Sequence, residues 1–162
     1  MSVGRVPVYD TGMLIALADR KAKAVHLHEA LKETPHRALV LGPVLAQVWR
    51  PHPALVHALA TTLKDCSVPQ ARTSAPPMRE TKAGRPECIA CAMGFDLTDW
   101  RRIGTALGEA ELPPKKRPDA VDACVALAAA KHGSAVIFTS DPEDITAYLS
   151  VLQPPDVHVH AV

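Results

Sequence analysis

The sequence predicts an α/β protein, a three-layer α/β/α sandwich around a mostly parallel central sheet, and three observations predict it. Short apolar runs alternate with helical segments along the whole chain. Those runs are apolar on both faces, as strands covered on each side by helices must be. Apolar residues make up 48% of the 162, enough to build a sizeable core. The length suits one domain over 1–162, with a loop or insertion at 72–95.

Each element has its own reason. "RVPVYD" reads as a strand from Arg5 to Tyr9, ending at Asp10. "TGMLIALADR" follows with helical apolar spacing at Met13, Leu14 and Leu17. "AKAVHLHEALKE" is a second amphipathic helix, with Val25, Leu27, His28 and Leu31, stopped by Thr34 and Pro35. "RALVLG" is a second buried strand, and Pro43 suits the first turn of a helix over "PVLAQVWR". "PHPALVHALATTLKD" is a further helix, separated by Pro51 and Pro53, and "CSVPQA" a short strand. Arg72 to Pro86 lack periodicity and hold three prolines, while "ECIACAMGF" adds a helical turn. "TDWRRIGTALGEA" is a helix with Thr98 as the expected N-cap. After the linker "LPPKKR", "PDAVDACVALAAAKHG" has Pro118 at its start, Lys131 and His132 in its last turn, and Gly133 to end it. "AVIFTS" is a buried strand, "DPEDITAYLSVL" a last helix with Pro142 in its first turn, and "VHVHAV" a closing strand.

Composition narrows the function. The net charge is +1, so no global attraction to nucleic acid is visible, although a local basic groove remains open. Tyr9, Trp49, Phe95, Trp100, Phe138 and Tyr148 are the only Phe, Trp or Tyr residues, too few for a base-stacking platform. No apolar run reaches the ~20 residues of a membrane span, and the apolar part of "MSVGRVPVYD" is too short for a signal peptide. The expectation is therefore a cytoplasmic protein that engages no membrane, with its four cysteines reduced.

The acids carry the chemistry. Crossovers in a parallel sheet are right-handed and helices run antiparallel to strands. Asp10 and Asp141 each follow a strand directly, and Asp122 lies in the first turns of the helix that returns to the next strand. All three should therefore reach the carboxyl edge of the sheet, where open α/β sheets bind ligands. After Asp122 the helix runs "ACVALAAA" without a charge until Lys131, which predicts a buried helix. A carboxylate at its mouth needs a partner. Arg or Lys would serve one acid; three converging acids point to a shared Mg²⁺ or Mn²⁺, which prefer hard oxygen ligands. Capping explains each acid singly: Asp141 before Pro142 suits an N-cap, Glu143 and Asp144 suit a helix start, Asp10 a turn, and Asp119 a helix start.

The segments "VPVYDTGMLIAL", "PVLAQVWR" and "DAVDACVALAAAKHGSAVIFTSDPEDITAYL" resemble the PIN-domain ribonucleases, in particular the VapC-like toxins of VapBC-type toxin–antitoxin pairs. The resemblance covers the order of elements over most of the chain, the 72–95 segment excepted. It implies metal-dependent cleavage of RNA phosphodiesters on a PIN-like fold. Carried over by motif, Asp10, Asp122 and Asp141 would be catalytic and, with Asp144, would bind Mg²⁺ or Mn²⁺. Thr11, Thr139 and Ser140 match supporting hydroxyl positions. The family places Glu where Gln47 stands, so this chain has one acid fewer there, a charge that Asp119 or Asp144 would supply. The implied partners are RNA, an antitoxin protein and a second copy of the chain as a homodimer. Arg50, Lys115, Lys116 and Arg117 are candidates to hold RNA phosphates, with Arg101 and Arg102 behind them. The competing reading is a PIN-fold RNA- or protein-binding module weakened in catalysis, which Gln47 favours.

The remaining motifs are weaker. Cys88 and Cys91 have CxxC spacing, but only Cys66 and Cys124 are left to complete a zinc site. His158 and His160 share one side of the last strand, whereas His26 and His28 share no helix face. A phosphotransfer receiver would need an acid pair after the first strand and a late Lys, which "YDTG" and "TSDPED" do not provide.

Overall fold

The computed structural model describes residues 4–69 and 94–162. Five strands, β1 (Val6–Tyr9), β2 (Ala38–Val40), β3 (Cys66–Ser67), β4 (Ser134–Thr139) and β5 (Asp156–Ala161), form one sheet in the order β3-β2-β1-β4-β5. Every pairing is parallel, which sharpens the expected "mostly parallel" sheet. The central strand β1 is in register with β4 from Val6↔Ala135 to Tyr9↔Phe138.

Seven helices among the described residues cover the sheet: α1 (Thr11–Ala18), α2 (Ala22–Lys32), α3 (Gly42–Val48), α4 (Pro53–Leu63), α5 (Leu97–Glu109), α6 (Ala120–His132) and α7 (Pro142–Leu152). One layer is built around α1, which packs on α2, α3 and α4; in the other α5, α6 and α7 pack on one another. The result is the three-layer α/β/α sandwich. Its core runs from Val8, Tyr9, Leu39 and Val40 of the sheet to Met13 and Leu14 on one side and Leu127, Ile145 and Tyr148 on the other.

The helix α6 is buried at every position from Ala123 to Ala129, as its uncharged sequence requires. Gly133 ends it at φ +76°, a conformation that suits glycine.

Local readings differ from the structure in three places. The N-cap of α5 is Asp96, not Thr98: Asp96 accepts from Asp99 N while the Asp99 side chain accepts from Asp96 N, a reciprocal capping box. Thr98 is exposed inside the helix. On α2 the buried positions are Ala24 and His28, and Val25 faces solvent, because β1 offers His28 a hydroxyl at Tyr9 (2.9 Å) that fixes the helix's rotation. Of the expected strand over "CSVPQA", Cys66–Ser67 pair with β2, Val68 and Pro69 do not, and Gln70 and Ala71 lie outside the described residues. Cys88, Cys91 and most of the turn expected at 87–95 lie outside the described residues. Gly94 and Phe95 are not helical. No helix among the described residues is long and apolar enough to cross a membrane.

Candidate functional site at the carboxyl rim of the sheet

The rim is assembled from four chain segments. Asp10 leaves β1 and serves as N-cap of α1, accepting from Met13 N at 2.8 Å. It is only 3% exposed. Burial raises its pKa, hydrogen bonds from the Thr139 hydroxyl and the Met13 and Gly12 N–H groups oppose the rise, and the Asp141 charge adds to it.

Thr139, at the end of β4 and fully buried, ties the first strand's acid to the fourth's. Its hydroxyl serves Asp10 and also accepts from Asp141 N at 2.9 Å. Ser140 Oγ lies 3.4 Å from Asp141 Oδ2. The two strand ends meet because residue 12 is glycine: a Cβ there would come within 2.1 Å of Ser140 Oγ and 2.8 Å of Ser140 N.

Asp141 occupies the N-cap position of α7 but its carboxylate caps nothing. It accepts instead from Lys116 Nζ at 3.0 Å, and the same ammonium lies 3.1 Å from Asp144 Oδ2. Asp144 is buried in the first turn of α7. Capping is therefore set aside for Asp141, while Lys116, expected to hold RNA phosphate, holds two of the rim's own acids. Those contacts raise the lysine's pKa, its hydrogen bonds to Asp141 and Asp144 first.

The third segment is the start of α6. Asp119 is its N-cap, accepting from Val121 N at 2.7 Å. Its backbone N–H donates to the hydroxyl of buried Tyr148 at 2.9 Å, a support absent from the sequence reading. The fourth segment, α3, reaches in through Gln47: its Oε1 accepts from the Thr11 hydroxyl and its Nε2 donates to Asp119 Oδ2 at 3.2 Å. Gln47 thus bridges the first and third segments.

Asp122, one turn into α6, stands apart. Among the described residues nothing donates a hydrogen bond to it or pairs with it. Its carboxyl is pushed up to about 7, first by desolvation and then by the charges of Asp119, Asp10, Asp144 and Asp141. Five carboxylates from three segments therefore bear on one place, with Lys116 the cation paired among them.

The chemistry of this donor set, hard carboxylate oxygens around an unpartnered half-buried acid, fits a divalent ion such as Mg²⁺ or Mn²⁺. The spacing does not yet close on one: among the described residues no group of three His, Cys, Asp or Glu side chains stands ready to hold a metal. Lys116 spans Asp141 and Asp144 instead.

The other basic candidates separate by position. Lys115 and Arg117 flank Lys116 and are exposed. Arg50 Nη1 donates to its neighbour Trp49 O at 2.6 Å. Arg101 and Arg102 follow Asp99, which pairs with Lys131 in the last turn of α6. They belong to the far end of that helix, ~20 Å from its acidic start. Beside the rim a cleft of about 750 Å³ is lined by Glu109, Glu111, Pro113, Pro142 and Glu143, an acidic surface. His158 pairs with Asp156 at 3.0 Å on the exposed face of β5. Cys66 and Cys124 are buried free thiols, and burial raises both.

No protein-family model matches the chain, and a search of curated proteins likewise finds no match.

Proposed function

We propose that the protein is a metal-dependent endoribonuclease that hydrolyses RNA phosphodiester bonds at the carboxyl rim of its sheet, in the manner of the toxin of a toxin–antitoxin pair. The observation that carries this reading is Asp122: a half-buried acid at the mouth of a buried helix, with no hydrogen-bond donor among the described residues and a pKa raised first by desolvation and then by Asp119, Asp10, Asp144 and Asp141. A structural charge in such a place would have a partner.

On this reading Asp10, Asp122 and Asp141 would hold the ion, with Asp144 beside them. A bound Mg²⁺ or Mn²⁺ supplies a Lewis acid for the phosphate and lowers the pKa of water. The chain's own part is positioning. Met13 N–H, Gly12 N–H and the Thr139 hydroxyl orient the Asp10 carboxylate. Thr139 sets the spacing of Asp10 and Asp141, and Tyr148 and Gln47 fix Asp119. Lys115 and Arg117 supply cations for the phosphate backbone, which the acidic cleft at Glu109, Glu111 and Glu143 repels. In-line attack by water would leave a 5′-phosphate and a 3′-hydroxyl. The RNA substrate, an antitoxin, a homodimer and a cytoplasmic location belong to the same proposal.

A digest of a mixed RNA pool, with Mg²⁺ and with EDTA, tests it. Wild type should cleave only with Mg²⁺, and Asp10→Asn and Asp141→Asn should not cleave while keeping the helical circular dichroism of the wild type. Asn variants that cut at the wild-type rate would refute the assignment.

Two observations favour a second reading, a binding module that has lost catalysis: Gln47 in place of an acid, and Lys116 bound to two of the proposed ligands. Calorimetry with Mn²⁺ separates them, since a lost site releases no heat of binding.

A further inference from the structure

Lys116 lies in the link between α5 and α6. Its N–H donates to Pro113 O at 3.1 Å, closing a turn in which Lys115 adopts φ +70°. That left-handed conformation is unfavourable for a residue with a Cβ. The turn delivers the Lys116 side chain to Asp141 Oδ1 and Asp144 Oδ2, at 3.0 and 3.1 Å. Lys115, carrying the same charge one residue earlier, makes no ion pair among the described residues.

The site's other features agree with a contact made to be broken. Asp141 stands where a capping acid stands, yet gives its carboxylate to Lys116 rather than to the helix. The Lys116 side chain is 44% exposed, so it can swing into water without opening the core. Its ammonium occupies the space between two carboxylates, where a divalent ion using both would have to sit.

We propose that Lys116 is the resident cation of the rim, an internal competitor that neutralises Asp141 and Asp144 and must leave before a divalent ion takes both. The proposal rests on the metal-dependent reading above and adds its regulation. Metal occupancy is set by competition with a tethered ammonium, so half-occupancy needs a higher divalent-ion concentration than the carboxylates alone would require. Once displaced, the ammonium remains at the rim, tethered beside the incoming RNA phosphate.

Calorimetric titration of the full chain with MnCl₂ tests this, using wild type, Lys116→Gln, Lys116→Arg and Lys115→Gln, each checked for its fold by circular dichroism. Lys116→Gln should bind Mn²⁺ about five- to tenfold tighter, the scale of two exposed ion pairs lost to the competitor. Lys116→Arg should stay near wild type, because it keeps the cation. Lys115→Gln should also stay near wild type, because it removes the same charge without the contact. If Lys115→Gln tightens binding as much as Lys116→Gln, net charge is responsible and the proposal falls. If wild type binds Mn²⁺ and Lys116→Gln binds it no better, this proposal alone falls. If neither binds, the metal-dependent reading falls with it.

Discussion

Two aspartates at opposite ends of α6 face the same physical problem and are treated differently. Asp99 is 5% exposed beside the helix's last turn. It accepts from Asp96 N in a capping box and pairs with Lys131. Desolvation works to raise its pKa, but Lys131, the Asp96 N–H and Arg102 outweigh it, and the pKa is lowered. Asp122 is half-buried, has neither donor nor cation among the described residues, and stays raised to about 7, by desolvation first. The fold knows how to satisfy a buried acid and does so where only stability is at stake. Asp122, with four other acids bearing on it, is left without such a partner among the described residues, and the proposed function rests on that difference.

The sharpest way to break this contrast is to neutralise each acid. Asp122→Asn should reduce Mg²⁺-dependent cleavage by more than the ~10–100-fold typical of an outer partner of a metal ligand, without loss of stability. Asp99→Asn should reverse the pattern, lowering stability and leaving cleavage per folded molecule unchanged. Turnover and urea midpoints on both variants read this; an Asp122→Asn that unfolds more easily than wild type would dissolve the distinction.

Truncation at the satisfied end comes next in size. Asp99→Ala removes the capping box and strands Lys131, and should cost about 3 kcal/mol. For a chain of this length that is roughly 6–12 °C in Tm. Gly12→Ala should cost about 2 kcal/mol, since the new Cβ meets Ser140 N at 2.8 Å and the strand ends must part. It should also separate Asp10 from Asp141, so stability and cleavage fall together, unlike either aspartate variant.

The pH dependence divides the same way. Asp122 titrates higher folded than unfolded, so its contribution is intact below pH ~4 and is lost as the pH rises to about 7. Because the carboxyl is only half buried, ~1–2 kcal/mol is at stake in the absence of divalent ions. Asp99 titrates lower folded than unfolded, so its contribution is present above pH ~4 and is lost as the pH falls through the folded value. Urea titrations with EDTA from pH 4 to 8 should show the first slope in wild type and its disappearance in Asp122→Asn.

The legible part of the molecule was what strand–helix alternation dictates. Asp10 and Asp141 at strand ends and Asp122 at the start of an uncharged helix could be placed on one rim because each sits at a fixed step of a β–α unit. Lys116 was seen only as a basic residue, because its direction depends on a turn with Lys115 at positive φ, which no periodicity encodes. The Asp96–Asp99 capping box was missed because Asp96 and Thr98 are both capping types and apolar spacing does not say which of them begins the helix. The inward turn of Ala24 and His28 in place of Val25 depended on the Tyr9 hydroxyl across the layer, a tertiary contact that outweighs local spacing.

Gln47 is the smallest test and the one the contrast does not decide in advance. Both of its amide atoms are engaged, Thr11 donating to its Oε1 and its Nε2 donating to Asp119, and so it looks like Asp99, a group with a structural task. The resemblance to PIN-domain ribonucleases places it among the site's acids instead. Gln47→Glu exchanges the donor facing Asp119 for an oxygen. Without a metal this sets carboxylate against carboxylate at a solvated position, a loss of about 0.5–1 kcal/mol, or ~1–4 °C in Tm. With Mn²⁺ the same oxygen adds a negative ligand, and affinity should rise a few-fold by calorimetry. Both changes together, with Tm restored at saturating Mn²⁺, put Gln47 on the functional side of the contrast. A lower Tm that Mn²⁺ does not recover makes it a bridge between α3 and α6, and leaves the unsatisfied acid as the better mark of the site.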